Sequence, residues 1–262
     1  MKIRHTLLVM LAPILLAACG QQPDPAASPT PTAPSAETAP ADTMSPPVAS
    51  APVRADDRAE AQEAAPNNNP VTAPQGPAPV AGKDYVEIAG GQPFASAPGI
   101  EVAEVFAYWC GHCAAFDPLV NAWKARLPAD VNFVAVPAVF NDQDHFPRAF
   151  YASETMGTLD QTHTPTFNAI HIDGKLRPNA DPAAIAAFYG TLGIDQARFA
   201  STMQSFAVNA NLGRARQFAS RSGVEGTPSM IVNGKYRVIG GTSLEDILRI
   251  TDHLVAMERA AQ

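Results

Sequence analysis

Two cysteines separated by two residues, in the run Glu104-Val-Phe-Ala-Tyr-Trp-Cys110-Gly-His-Cys113, have the type and spacing to do chemistry. An apolar, strand-like run from Val102 to Tyr108 stops at Trp109. Beyond the cysteines, Phe116, Leu119, Val120, Trp123 and Leu127 recur with helical spacing. The pair therefore falls where a strand gives way to a helix, with Cys110 near the helix N-terminus. Unpaired N–H groups and the positive end of the helix dipole favour a thiolate there. Cysteines so placed have pKa values of roughly 3.5 to 7.5, against about 8.5 for a free thiol. His112, between the two, adds positive charge when protonated and can donate a hydrogen bond to sulfur. Thiolate is the nucleophile of disulfide exchange, so the context is that of a redox dithiol.

Two other uses of the motif compete with this one. Half of a structural zinc site would need two further Cys or His ligands at suitable spacing. The chain has no second Cys-x-x-Cys, and His145, His163, His171 and His253 show no ligand spacing. A purely structural disulfide across two residues removes little chain entropy and would be a poor staple.

These residues resemble a family. Trp109-Cys-Gly-His-Cys113 is similar to the active site of the thioredoxin superfamily. Its Gly-His dipeptide is that of protein disulfide isomerases, and one residue from the Pro-His of the DsbA family. Pro118 resembles the proline that kinks the active-site helix of thioredoxins. Further on, Gly223-Val-Glu-Gly226-Thr227-Pro228-Ser-Met-Ile-Val-Asn-Gly-Lys-Tyr236 resembles the DsbA segment that carries the superfamily's cis-proline. The resemblance covers residues 83–262. It implies an α/β architecture, a thioredoxin fold with an inserted helical subdomain at about 142–213, and thiol:disulfide oxidoreductase activity.

The elements that must position the pair can be read in order. Tyr85–Ile88 reads as a short first strand, Val102–Tyr108 as a buried central one, and Asp117–Leu127 as part of the active-site helix. Val131–Phe140 reads as the next parallel strand, with Pro137 marking its end or a bulge. From Asn141 to about Gly213 the pattern is helical, with breaks at Pro165, Gly174, Pro178, Pro182 and Gly193. Asp181 and Asp195 look like N-caps. Met230–Val232 and Tyr236–Ile239 form a hairpin across Asn233-Gly234. Ser243–Met257 closes the domain as an amphipathic helix whose inner side carries Leu248, Thr251 and Leu254.

The N-terminal part is of another kind. Residues 1–19 read as an export signal: Lys2, Arg4 and His5, then an apolar run from Thr6 to Leu16 too short to span a bilayer. Leu16-Ala-Ala-Cys19 looks like a bacterial lipobox, which implies cleavage before Cys19 and lipidation of it. Gly20 is not the aspartate that retains enteric lipoproteins at the inner membrane, so the outer membrane is the expected site. Residues 20–82, rich in Ala, Pro, Ser and Thr, read as a disordered tether that as a coil would span on the order of 45 Å. Of the three cysteines, only Cys110 and Cys113 then remain to form a disulfide, and it would be a working one.

The resemblance assigns roles to particular residues. Cys110 is the attacking and attacked sulfur and Cys113 its buried resolving partner. His112 stabilises the thiolate, and Thr227-Pro228 lies against the disulfide, with the Thr227 backbone open to an extended substrate segment. Glu104, six residues before Cys110, matches a buried DsbA glutamate. It is either a proton acceptor in exchange or merely a strand-end carboxylate. The lysine that partners that glutamate in DsbA is replaced by Ala135, so a Glu–Lys pair does not carry over. Trp109 flanks the site.

A net charge of −7 argues against nucleic acid as a partner, and no phosphate-binding loop is present. No cofactor or metal is called for. The resemblance implies reduced, unfolded exported proteins as substrates and a DsbB-like quinone-linked membrane oxidase as the electron acceptor, in a periplasmic, membrane-anchored monomer. An isomerase or reductase on the same fold is the first alternative. The isomerases of this superfamily carry an N-terminal dimerisation domain, which residues 20–82 cannot supply. A tethered binding module without redox chemistry is the second, and would keep its activity after Cys110→Ser.

Overall fold

The computed structural model describes residues 67–262; the expected signal, Cys19 and the tether up to residue 66 lie outside the described residues. Five strands, β1 (Tyr85–Glu87), β2 (Ile100–Phe106), β3 (Val131–Pro137), β4 (Ser229–Val232) and β5 (Tyr236–Val238), form one sheet in the order β1-β5-β4-β2-β3. β2 and β3 run parallel, as a β-α-β connection requires, and the other pairings are antiparallel. All seven residues of β2 are buried. That follows from its place between β3 and β4 with helices on both faces, and it buries Glu101 and Glu104 together with the apolar residues of the strand.

Helix α1 (Gly111–Lys124) connects β2 to β3 and, with the C-terminal α7 (Leu244–Ala260), covers one face. Phe116, Val120 and Trp123 from α1 meet Leu248, Leu254 and Val255 from α7 over Ile100, Val102, Met230 and Val232. The other face, carrying Ala103, Val105 and Ile231, packs against a helical layer inserted between β3 and β4. That layer is α2 (Phe146–Met156), α3 (Leu159–His171), α4 (Pro182–Thr191), α5 (Gln196–Met203) and α6 (Phe206–Arg221).

The expected caps form: Asp181 accepts from the Ala184 N–H and Asp195 from the Arg198 N–H, each at 2.8 Å. At the β4–β5 hairpin Asn233 (φ 52°) and Gly234 (φ 66°) are both left-handed, as a type I′ turn demands.

Three expectations change. Pro165 does not break a helix, because α3 runs through it; burial of Thr162, Thr166, Phe167 and Ala169 outweighs the one missing N–H. Gly213 does not end the insertion but sits inside α6, which carries the helical layer on to Arg221. The stretch 67–82, expected as tether, is docked on the domain. Asn67 and Asn69 donate to the carbonyls of Leu127 and Ala125, each at 2.9 Å, Arg249 donates to the Pro77 carbonyl, and His253 pairs with the Gln75 carbonyl at 3.2 Å. A polar, proline-rich segment can be held this way because the carbonyls at a helix end lack partners within the helix.

Two glycines give opposite expectations. A Cβ at Gly234 would lie 2.1 Å from the Gln92 carbonyl carbon. Gly234→Ala should therefore lower stability in urea unfolding by more than the roughly 1 kcal/mol of an ordinary helical or turn substitution. Gly213 is exposed in a helix with open space where a Cβ would stand. Gly213→Ala should raise stability by roughly 0.5 to 1 kcal/mol.

Candidate active site

Cys110 is the N-cap of α1, with extended backbone, and its sulfur accepts from the Cys113 N–H at 3.3 Å. A thiolate there meets one of the N–H groups that a helix leaves unpaired at its start. Across the cleft the Cys110 thiol donates to the Thr227 carbonyl at 3.2 Å. The Thr227–Pro228 peptide is cis. The pair is present as free thiols.

The acidity of Cys110 is set by these contacts. Its pKa is lowered to about 5: the Cys113 thiol donates to the sulfur, burial opposes this, and the Thr227 side chain and the Cys113 and His112 backbone N–H groups lower it further. Cys113, fully buried, is pushed far above a free thiol, first by burial and then because its proton is held by Cys110. One sulfur thus favours the thiolate, at 7% exposure of its residue, and the other, at 0%, keeps its proton. The His112 ring is exposed, and it is the residue's backbone N–H that acts on the sulfur. Trp109, 37% exposed, donates from Nε1 to Asp144 at 2.8 Å and stands 6.4 Å from the Phe140 ring, so it forms the rim of the site.

Glu104 lies in the middle of β2 rather than at a strand end, opposite Ala135 on β3 and Met230 on β4. It is buried, and its pKa is raised to about 8, first by desolvation and then by Asp117, with Lys124 acting against them. The positive charge that Ala135 cannot supply comes instead from α1.

Residues the sequence did not single out complete this region. Asp117, one helical turn after Cys113, is buried and accepts from Thr164 Oγ1 at 2.7 Å and from Asn121 Nδ2 at 3.2 Å. His163 places Nε2 3.6 Å from Asp117 Oδ1 and Nδ1 2.8 Å from the Tyr108 hydroxyl. Burial holds the imidazole's pKa below its ordinary value. Glu104, Asp117, Lys124 and His163 line a cavity of about 690 Å³. An acid within the apolar stripe of α1 was the available signal for Asp117; His163 and Thr164 come from a helix 46 or more residues away and leave no local signature. Among the described residues no three metal-ligating side chains converge.

A strand–helix dithiol on a thioredoxin fold with a helical insertion defines a class: thioredoxin-superfamily disulfide oxidoreductases of the inserted type. Residues 130–250 match the family model of the DSBA-like thioredoxin domain. The chain is 40% identical over 184 residues to a thiol:disulfide interchange protein DsbA of Pseudomonas aeruginosa, covering 69% of this chain and 86% of the relative. The DsbA of Pseudomonas syringae pv. tomato is 40% identical over 183 residues, covering 69% and 85%. Among solved structures, DsbA of Xylella fastidiosa superposes with a TM-score of 0.67 at 45% identity, covering 70% of this chain and 98% of the other. The chain belongs to the DsbA family and is a thiol:disulfide oxidoreductase.

Two titrations follow from the site. Alkylation of reduced Cys110 should show a midpoint near pH 5, and Cys113→Ala should move it upward by removing the largest lowering contact. A buried carboxyl with a raised pKa binds more protons folded than unfolded, so its contribution to stability is full below about 4.5 and lost as pH rises through about 8. Glu104→Gln should therefore stabilise the protein more at pH 8.5 than at pH 5, measured by urea unfolding.

Proposed function

We propose that this protein is an exported oxidant that donates its Cys110–Cys113 disulfide to reduced, unfolded proteins of the periplasm. The lowered pKa of Cys110 carries this reading. A stable Cys110 thiolate is a good leaving group and favours the reduced form, so disulfide flows outward to substrate. A substrate thiolate attacks the Cys110 sulfur and the Cys110–Cys113 bond breaks, leaving its electron pair on Cys113. A second substrate thiolate attacks the substrate sulfur of the mixed disulfide and expels the Cys110 thiolate. The substrate loses two electrons and the enzyme gains them.

Cys113 leaves this sequence as a thiol and must take up a proton; in reoxidation it must release one. Glu104 is assigned that proton, a role supported by its burial and by a pKa near neutrality. His112 is assigned thiolate stabilisation, a role supported by its backbone N–H contact to the sulfur. Thr227 and Pro228 form one wall of a groove of about 500 Å³ with Ser229, Arg237 and Ile239, where an extended substrate segment would pair with the Thr227 backbone. Reoxidation is assigned to a DsbB-like quinone-linked membrane protein. Cys19 is assigned as the lipidated residue, holding a monomeric domain at the outer membrane through the tether.

The reduction potential of the full chain in detergent, equilibrated in glutathione buffers, tests the direction of exchange. A value near about −120 mV supports the oxidant; about −200 mV or lower would assign the chain to isomerisation or reduction. Incorporation of radiolabelled palmitate in cells, abolished by Cys19→Ala, checks the anchor.

A further inference from the structure

Asp117 is the point at which the inserted helical layer reaches the acid–base groups under the dithiol. Consecutive residues of α3 meet its two carboxylate oxygens. Thr164 Oγ1 donates to Oδ2 at 2.7 Å, and His163 Nε2 stands 3.6 Å from Oδ1. Asn121, one turn along α1, donates to Oδ1 at 3.2 Å and lies 3.4 Å from the Thr164 hydroxyl. The imidazole is fixed in turn: its Nδ1 meets the Tyr108 hydroxyl at 2.8 Å, and its ring packs edge-on against Phe106, Phe150 and Phe167. A nitrogen facing a carboxylate is best occupied by N–H, which leaves Nδ1 to accept from Tyr108. Tyr108 is two residues before Cys110 and Asp117 four after Cys113, so α3 grips the chain on both sides of the reactive pair.

We propose that Thr164 and His163 are positioning residues for disulfide exchange. By clasping Asp117 from α3 they hold its carboxylate at the cavity that Glu104 also lines and so set how tightly Glu104 binds its proton. The inference rests on the assignment of Glu104 to the Cys113 proton. A negative charge held beside a buried carboxyl makes that carboxyl keep its proton, so the property that α3 controls is the acidity of Glu104, which Asp117 weakens. The other ionisable groups facing Glu104 and Asp117 are Cys110, Lys124 of α1, Tyr151 and Glu154 of α2, Asp160 of α3 and Arg214 of α6. None of them donates a hydrogen bond to Asp117; the donors are Thr164 and Asn121.

The test is a ¹³C carboxyl titration of Glu104 and Asp117 by NMR in the reduced full chain, with the pH profile of its oxidation by excess oxidised glutathione. Thr164→Val keeps shape and removes the donor; with Asp117 no longer held in place, the Glu104 transition should move toward acid by roughly half a pH unit. Thr164→Ser should restore the wild-type midpoint, which a packing role for Thr164 would not. Asp117→Asn should move the Glu104 transition toward acid, and supplies the reading if the valine variant does not fold. An unmoved carboxyl transition in folded Thr164→Val, or an unmoved Glu104 transition in Asp117→Asn, overturns the proposal. A carboxyl shift that the oxidation profile does not follow supports the clasp and overturns the proton role of Glu104.

Discussion

The constraint on which this structure depends is the placing of one sulfur at the start of α1, where it is the helix cap. Cys110 takes the position that a serine or aspartate usually fills, so the N–H group that would bind a capping oxygen binds sulfur instead. For that to hold, β2 must end at the right residue, α1 must begin at Gly111, and the Thr227 carbonyl must close the other side of the cleft. Each condition is met by a different part of the fold. The antiparallel β4 lies against β2 in the register Val105↔Ser229, and this brings the loop before β4 to the sulfur.

The same burial that protects Cys113 creates the need for a proton carrier. A thiol in the apolar interior holds its proton firmly, since desolvation disfavours the thiolate. Glu104 faces the same penalty on β2, and the neighbouring Asp117 adds to it, while Lys124 limits it. Two carboxyls beside a cavity under a reactive dithiol form an arrangement that apolar residues would replace with a gain in stability. Their retention fits a function in which a proton must move when a sulfur bond forms or breaks.

The inserted helical layer is more than a cover for the sheet. Through α3 it supplies the donors that hold Asp117, and through His171 it meets the Tyr108 carbonyl at 2.7 Å. On the opposite face, residues 67–82 are held at the C-terminal end of α1 and along the middle of α7 by polar side chains. The chain therefore joins the domain at the end of α1 remote from Cys110.

Local pattern determined much of this protein from the sequence alone. The strand–helix junction at Cys110, the caps Asp181 and Asp195, the Asn233-Gly234 turn and the inner face of α7 rest on interactions between near neighbours, so a short window contains the physics. The dithiol and the cis-proline segment were legible through resemblance, which also implied the helical insertion. What only the tertiary structure decided are contacts between residues distant in the chain: Thr227 against Cys110, Thr164 and His163 against Asp117, Asn67 against the end of α1. Pro165 and Gly213 illustrate the same limit, since both signal a break locally and both lie in helices whose burial or length elsewhere overrides the signal. The position of Glu104 was legible and its acidity was not. A pKa is set by what surrounds a group in three dimensions, and the surroundings of Glu104 come from β3, β4 and α1 together.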